Sequence, residues 1–439
     1  MSTLVAATPA YLARLLRRAV LAGLMAVGLA TQVPALAANV VMPGEVMVSL
    51  QGSALLPDLL ARYPLTLIGQ FGSRPIYRLR VDAAADLGLT IEAIGAEPGV
   101  LAAEPNFVHS SPEARRNVAW ALGDPVDFTA QWAPQTLRLA EAHRYARGAG
   151  VRVAVLDTGV DFHHAALAGK LLPGFDFVDF DNDPSEAGEV GNLGFGHGTH
   201  VAGIVSLVAP DAQILPLRVL DAEGAGNAWV LAEAMLYAVD PDGNPATDDG
   251  AHVVNLSLGS TQRTHILDTI TKLVSCAIPD PTEPEALTDP GYDTDKARCA
   301  RGGGAVVVAA AGNNGTDRLR EYPAAEGAYG LMAIGASTSA DKLATFSNFG
   351  SWVHLAAPGE GITSALPGGQ FATWSGTSMA TPMVAGTAAL LRSLDRALTP
   401  DLVVERLRRD SASLCGTALR RVDALAVVSD LPTAPLSCQ

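Results

Sequence analysis

Six runs of apolar residues, at 151–156, 213–220, 252–258, 305–310, 331–336 and 353–357, most constrain what this chain can fold into. Each is continuous rather than alternating, the pattern of a strand buried on both faces. Stretches of helical character, such as 228–239, separate several of them. Strand and helix in succession predict an α/β domain, a parallel sheet with helices on both faces. Gly, Asp and Asn cluster just past the C-terminal ends of these strands, the edge where such folds place ligands. With 439 residues, 49% hydrophobic and 17% charged, the chain has room for one large domain and a smaller one. A net charge of −15 argues against a nucleic-acid partner, which would call for a basic stripe.

The N-terminus has the layout of an export signal over residues 1–37. Arg14, Arg17 and Arg18 precede an apolar run at 19–30, and Ala35-Leu36-Ala37 supplies small residues for cleavage. A membrane anchor is the alternative, for which that run is short. The mature protein is therefore expected to be secreted, periplasmic or extracellular, with no membrane partner once the signal is gone. With only a short tail, 431–439, after the α/β domain, a C-terminal membrane barrel is not expected. Four cysteines allow three pairings. Shorter loops cost less entropy to close, which favours Cys276–Cys299 and Cys415–Cys438. In an oxidising compartment these are staples rather than metal ligands.

Between the signal and the α/β domain, residues 45–50, 54–63, 65–68, 75–81, 90–96 and 100–103 read as strand, helix, two strands, helix and strand. That is the split βαβ order of a small α+β, ferredoxin-like domain. The polar stretch 110–116 reads as an exposed linker.

Four motifs carry chemistry. Asp157-Thr158-Gly159 ends the first strand of the α/β domain; it also matches the aspartic-protease signature, but that chemistry needs a second copy and none is present. Gly196-His197-Gly198-Thr199-His200 opens a helix, whose two histidines could ligate a metal or whose glycines could serve close packing. Ala309-Ala310-Ala311-Gly312-Asn313 places an amide after a buried strand, either satisfying its own turn or donating to an oxyanion. Gly376-Thr377-Ser378-Met379-Ala380-Thr381-Pro382 leads into an apolar helix. A serine there is either an N-cap or a nucleophile beside unpaired N–H groups at the positive end of a dipole.

Taken in order, these motifs resemble those of the subtilisin-like serine proteases, the subtilases, over nearly all of 118–428. The resemblance implies a catalytic domain over 117–430, with Asp157, His197 and Ser378 as the triad and Asn313 in the oxyanion hole. It also implies that 38–116 is a propeptide, chaperone and intramolecular inhibitor, with maturation near 109–117. Ser257-Leu258-Gly259 matches the strand that pairs with the substrate backbone. Glu321 precedes Tyr322-Pro323 at the base of the S1 pocket, where it either favours Lys or Arg at P1 or points to solvent. P1 is the residue N-terminal to the cleaved bond. The chemistry requires no cofactor. Structural calcium is common in the family, and Asp179, Asp181 and Asp183, or Asp240, Asp242 and Asp248, offer the hard oxygen ligands it needs, unless these are solvated turns. The expectation is a monomeric serine endopeptidase acting on protein or peptide substrates. The alternatives are a catalytically silent subtilase fold used for binding and a serine esterase.

Overall fold

The computed structural model describes residues 41–116, 121–277, 291–435 and 438. The expected signal over 1–37 lies outside them, as does most of the excursion between Cys276 and Cys299. Both disulfides expected from loop length are formed, Cys276–Cys299 and Cys415–Cys438.

The predicted parallel sheet is the centre of the molecule. Its nine strands run in the order Ala412–Ser413, Arg420–Arg421, Leu355–Pro358, Leu331–Ser337, Val306–Ala310, Val253–Leu256, Arg152–Asp157, Gln213–Arg218 and Phe175–Asp176. All neighbours are parallel except the first pair. The continuous apolar runs are explained by two cores, one on each face. Val153, Val155, Val306 and Val308 face one, and Ala154, Leu156, Val307 and Ala309 face the other. The first core holds helices His197–Val208 and Thr377–Leu394, and the second holds Ala228–Val239 and His265–Val274.

A third core belongs to the N-terminal subdomain and includes Val46, Val48, Leu59, Leu79 and Ile94. Its strands Leu65–Gln70, Ile76–Val81, Val41–Leu50 and Val100–Ser110 lie side by side in that order, antiparallel, with helices Leu56–Arg62 and Leu87–Gly95 between them in sequence. This is the predicted split βαβ arrangement. Its last strand continues past the subdomain and pairs with Ala225–Asn227 of the large domain, through Val108↔Asn227, His109↔Gly226 and Ser110↔Ala225.

Residues 110–116 are not the exposed linker that their polar composition suggested. Ser111, Glu113 and Ala114 are buried in the large domain: the Glu113 carboxylate finds partners in the cleft, and the Ser111 hydroxyl accepts from Ala114 N–H of the same turn. Ser110 and Gly259 exchange both backbone hydrogen bonds at 3.0 Å, and Ser111 N–H donates to Gly224 O at 3.1 Å.

Candidate active site

Asp157 closes a central strand, and His197 opens the helix packed behind it. Two glycines allow their approach: a side chain on Gly198 would overlap Gly159 O, and Gly159 itself has φ +108°. His197 Nδ1 lies 2.7 Å from Asp157 Oδ1, and Thr158 N–H also donates to that oxygen. Asp157 thereby fixes which imidazole nitrogen faces the cleft.

The serine motif enters through Gly376, which occupies the N-cap, so Ser378 is not itself the cap. The helix begins at Thr377 and carries Pro382 inside it. A proline there removes the N–H that would bond Ser378 O. The Ser257 hydroxyl substitutes for it, donating to Ser378 O at 2.9 Å. The neighbouring Thr377 orients the amide: its N–H and its hydroxyl both donate to Asn313 Oδ1 at 2.9 Å, leaving Nδ2 aimed into the cleft.

These groups converge on a residue that the sequence did not single out. Ser378 Oγ donates to Glu113 Oε2 at 2.6 Å, and His197 Nε2 lies 3.2 Å from the same oxygen. Asn313 Nδ2 donates to Glu113 Oε1 at 2.7 Å. A side chain on Gly376 would overlap that carboxylate. Burial works against an imidazolium at His197, but Asp157 and Glu113 override it and push its pKa up to about 10. Burial likewise opposes the Glu113 carboxylate, yet His197, Ser378 and Asn313 together hold its pKa below the ordinary value. Nothing in a lone glutamate within a polar stretch distinguishes it beforehand.

Glu186, also missed, ties the loop of Asp157 to the helix of His197. It accepts from Thr158 Oγ1 at 2.5 Å and from Thr199 N and Oγ1 at 3.1 and 2.7 Å. Burial pushes its pKa up to about 7 against those hydrogen bonds. His200 takes no part in the triad. Buried and held neutral, with its pKa lowered to about 3 by desolvation, it contacts Ala372 O through Nε2 and stacks on Trp374.

Ser257, Leu258 and Gly259 lie along the cleft, buried, with Gly259 paired to Ser110 as described. Glu321 does not point to solvent: it is buried and ion-paired with Arg115. The carboxylates of Asp179, Asp181 and Asp183 do not come together. Asp179 is taken by Arg218, and Asp181 and Asp183 accept from the backbone of their own turn. Asp248 is also spent, on Arg152 and Arg396. Among the described residues Asp240, Asp242 and Asp249 do converge, their oxygens within 4.8 Å of one another. Burial and the other two carboxylates raise the pKa of Asp240, while Asp242 and Asp249 also accept from the backbone and Thr247 of their own turn.

The Subtilase family, peptidase S8, matches residues 148–423, which contain Asp157, His197 and Ser378. The chain belongs to the subtilase family. Thermitase from Thermoactinomyces vulgaris is 37% identical over 317 residues, covering 70% of this chain and 98% of that protein. Thermophilic serine proteinase from Bacillus sp. strain AK1 is also 37% identical over 317 residues, covering 70% of this chain and 66% of that longer relative. Subtilases of this kind are serine-type endopeptidases, and that is the enzyme class of the chain. Among solved structures, a cold adapted subtilisin-like serine proteinase matches with 31% identity and a TM-score of 0.50, covering 63% of this chain and 88% of its own. Fervidolysin from Fervidobacterium pennivorans, a keratinolytic enzyme, matches 91% of this chain and 62% of its own at a TM-score of 0.67. At 19% identity that is a likeness of fold alone.

Proposed function

We propose that this subtilase is an exported, monomeric endopeptidase made as a zymogen, hydrolysing peptide bonds through Asp157, His197 and Ser378. One observation carries the reading. The Glu113 carboxylate stands where the scissile carbonyl of a substrate would stand, one oxygen between nucleophile and base and the other on Asn313. With that segment withdrawn, His197 Nε2 is free to take the Ser378 proton as Oγ attacks the scissile carbonyl. Asn313 Nδ2 then holds the oxyanion of the tetrahedral intermediate. Asp157 stabilises the imidazolium, which passes its proton to the leaving amine, and water resolves the acyl-enzyme by the reverse path.

Residues 38–116 act as the inhibitor in this reading. Glu113 obstructs the site twice: it fills the oxyanion position, and its carboxylate stands between Ser378 Oγ and His197 Nε2, adding to the pull of Asp157 towards the imidazolium. Calcium at Asp240, Asp242 and Asp249 would neutralise their mutual repulsion and stiffen that loop, without entering the chemistry. A thermal midpoint unmoved between excess calcium and chelator removes that assignment.

The test compares a folded protein substrate with a simple ester, using Ser378→Ala as control. Both substrates turned over, and both lost in the variant, is the expected result. Turnover of the ester alone makes the chain an esterase, and turnover of neither makes it a binding module. N-terminal sequencing of the exported protein is expected to begin near 109–117, and retention of residues 40–100 would refute the zymogen.

A further inference from the structure

Beside the oxyanion position the cleft holds a carboxylate for which the hydrolytic steps have no use. Glu321 is 0% exposed. Tyr322, next to it, bridges Ser260, which follows the Gly259 that pairs with Ser110. The pocket around Glu321 is walled by glycine: a side chain on Gly312 would overlap it, and one on Gly259 would lie 3.2 Å from its Oε2. Gly312 immediately precedes Asn313. The pocket therefore opens between the backbone that pairs with a bound chain and the amide that holds the scissile carbonyl. Arg115, two residues past Glu113, occupies it. Its Nη1 and Nη2 donate to Glu321 Oε1 and Oε2 at 3.0 and 2.9 Å, and Asn314 Nδ2 donates at 3.4 Å.

We propose that Glu321 makes this enzyme select a basic residue at P1, arginine ahead of lysine. The proposal rests on the endopeptidase reading and names its substrate class. When residues 110–116 leave the cleft, Glu321 loses the guanidinium that covers and balances it, and any side chain that refills the pocket buries it again. A buried carboxylate without a counter-charge is strongly unfavourable, so the emptied pocket favours whichever side chain restores one. The planar guanidinium fork repeats both hydrogen bonds that Arg115 makes, and an ammonium supplies charge without that geometry. A Phe or Leu side chain would leave the carboxylate buried against hydrocarbon. The same preference nominates the bonds after Arg115 and Arg116 for self-processing.

Matched peptides differing only at P1 (Arg, citrulline, Lys, Phe and Leu) test this on the mature enzyme. Rates, as kcat/KM, are normalised to Ser378 titrated with a sulfonyl fluoride. The Arg peptide is expected to exceed the Phe peptide on the order of 100-fold, with Lys between them, and Glu321→Gln is expected to abolish most of that ratio. Arg ahead of its neutral isostere citrulline in the wild-type enzyme carries the same test should Glu321→Gln not fold. Phe or Leu cleaved faster than Arg, or an Arg preference unchanged in Glu321→Gln, overturns the proposal alone. An enzyme whose Ser378 is titrated but that hydrolyses only simple esters overturns the endopeptidase reading, and the proposal with it.

Discussion

Two glutamates of the N-terminal subdomain reach into the large domain, and they do so by opposite electrostatics. Glu104 caps a helix: it accepts from His265 N–H at 2.8 Å and Ile266 N–H at 3.0 Å, at the start of His265–Val274. Burial dominates there and raises its pKa despite those two hydrogen bonds. Glu113 is also buried, yet its pKa is lowered, because His197, Ser378 and Asn313 all hydrogen-bond its carboxylate and His197 adds its charge, more than the two backbone N–H groups and His265 give Glu104. The subdomain is thus docked through one carboxylate whose burial outweighs its hydrogen bonds, and latched through another whose partners outweigh its burial.

The sharpest way to separate dock from latch is to remove the chemistry and keep both. Ser378→Ala is expected to lower turnover by roughly 10⁵–10⁶-fold, the scale on which triad serines act. The precursor should then persist at full length on a denaturing gel, with the subdomain still attached. Asn313→Ala comes next. It removes an oxyanion donor, so kcat should fall on the order of 10²–10³-fold, and it also removes one of the three groups holding Glu113. Slower catalysis together with a looser latch is the signature. Unchanged kcat would mean that the oxyanion does not bind at Asn313.

Acid should part the two contacts. The Glu113 carboxylate has a pKa below its ordinary value of 4.5, so its contribution is present above that value and lost as pH falls through the depressed one. His197, raised from 6.5 to about 10, contributes fully below 6.5 and loses its share as pH rises through about 10. The latch is therefore complete between about 4.5 and 6.5 and weakens outside that window. Glu104 runs the other way, since a raised carboxylate pKa means that acid relieves its burial cost. Below the ordinary carboxylate range the amides of residues 110–116 should lose hydrogen-exchange protection while the subdomain stays docked. Ser378 stays unreactive there, because a protonated His197 cannot take its proton. Dissociation and loss of protection rising together with acid would erase the distinction. Glu113→Gln is expected to open the same segment at neutral pH, where Ser378 then becomes reactive to a sulfonyl fluoride.

The sheet was legible beforehand, because burial on both faces leaves a continuous apolar signature, and Asp157, His197, Asn313 and Ser378, each in its own short motif, do come together in the cleft. The cleft contents were not. Polar composition marks 110–116 as solvent-facing, and only tertiary structure shows that Ser111 and Glu113 are buried and that Arg115 reaches Glu321. The acidic loops failed for a related reason. Counting aspartates cannot tell Asp248, spent on two arginines, from Asp249, which faces Asp240 and Asp242. The direction of Glu321 was equally open, because its burial is decided by Arg115, over two hundred residues away in sequence.

The smallest expected effect falls on the dock. Glu104→Ala removes the acceptor of two helix-terminal N–H groups, a loss of about 0.5–2 kcal/mol for a cap. It leaves in place the strand pairing of Val108–Ser110 with Ala225–Asn227 and every contact of Glu113. In a Ser378→Ala background, where processing cannot intervene, the thermal midpoint should fall slightly while the pH at which the latch loosens stays put. Glu113→Gln in the same background should shift that pH response and leave the helix cap intact. If instead Glu104→Ala moved the pH response as far as Glu113→Gln, the two carboxylates would be one coupled device, and the cap would be transmitting strain to the cleft through the strand that joins them.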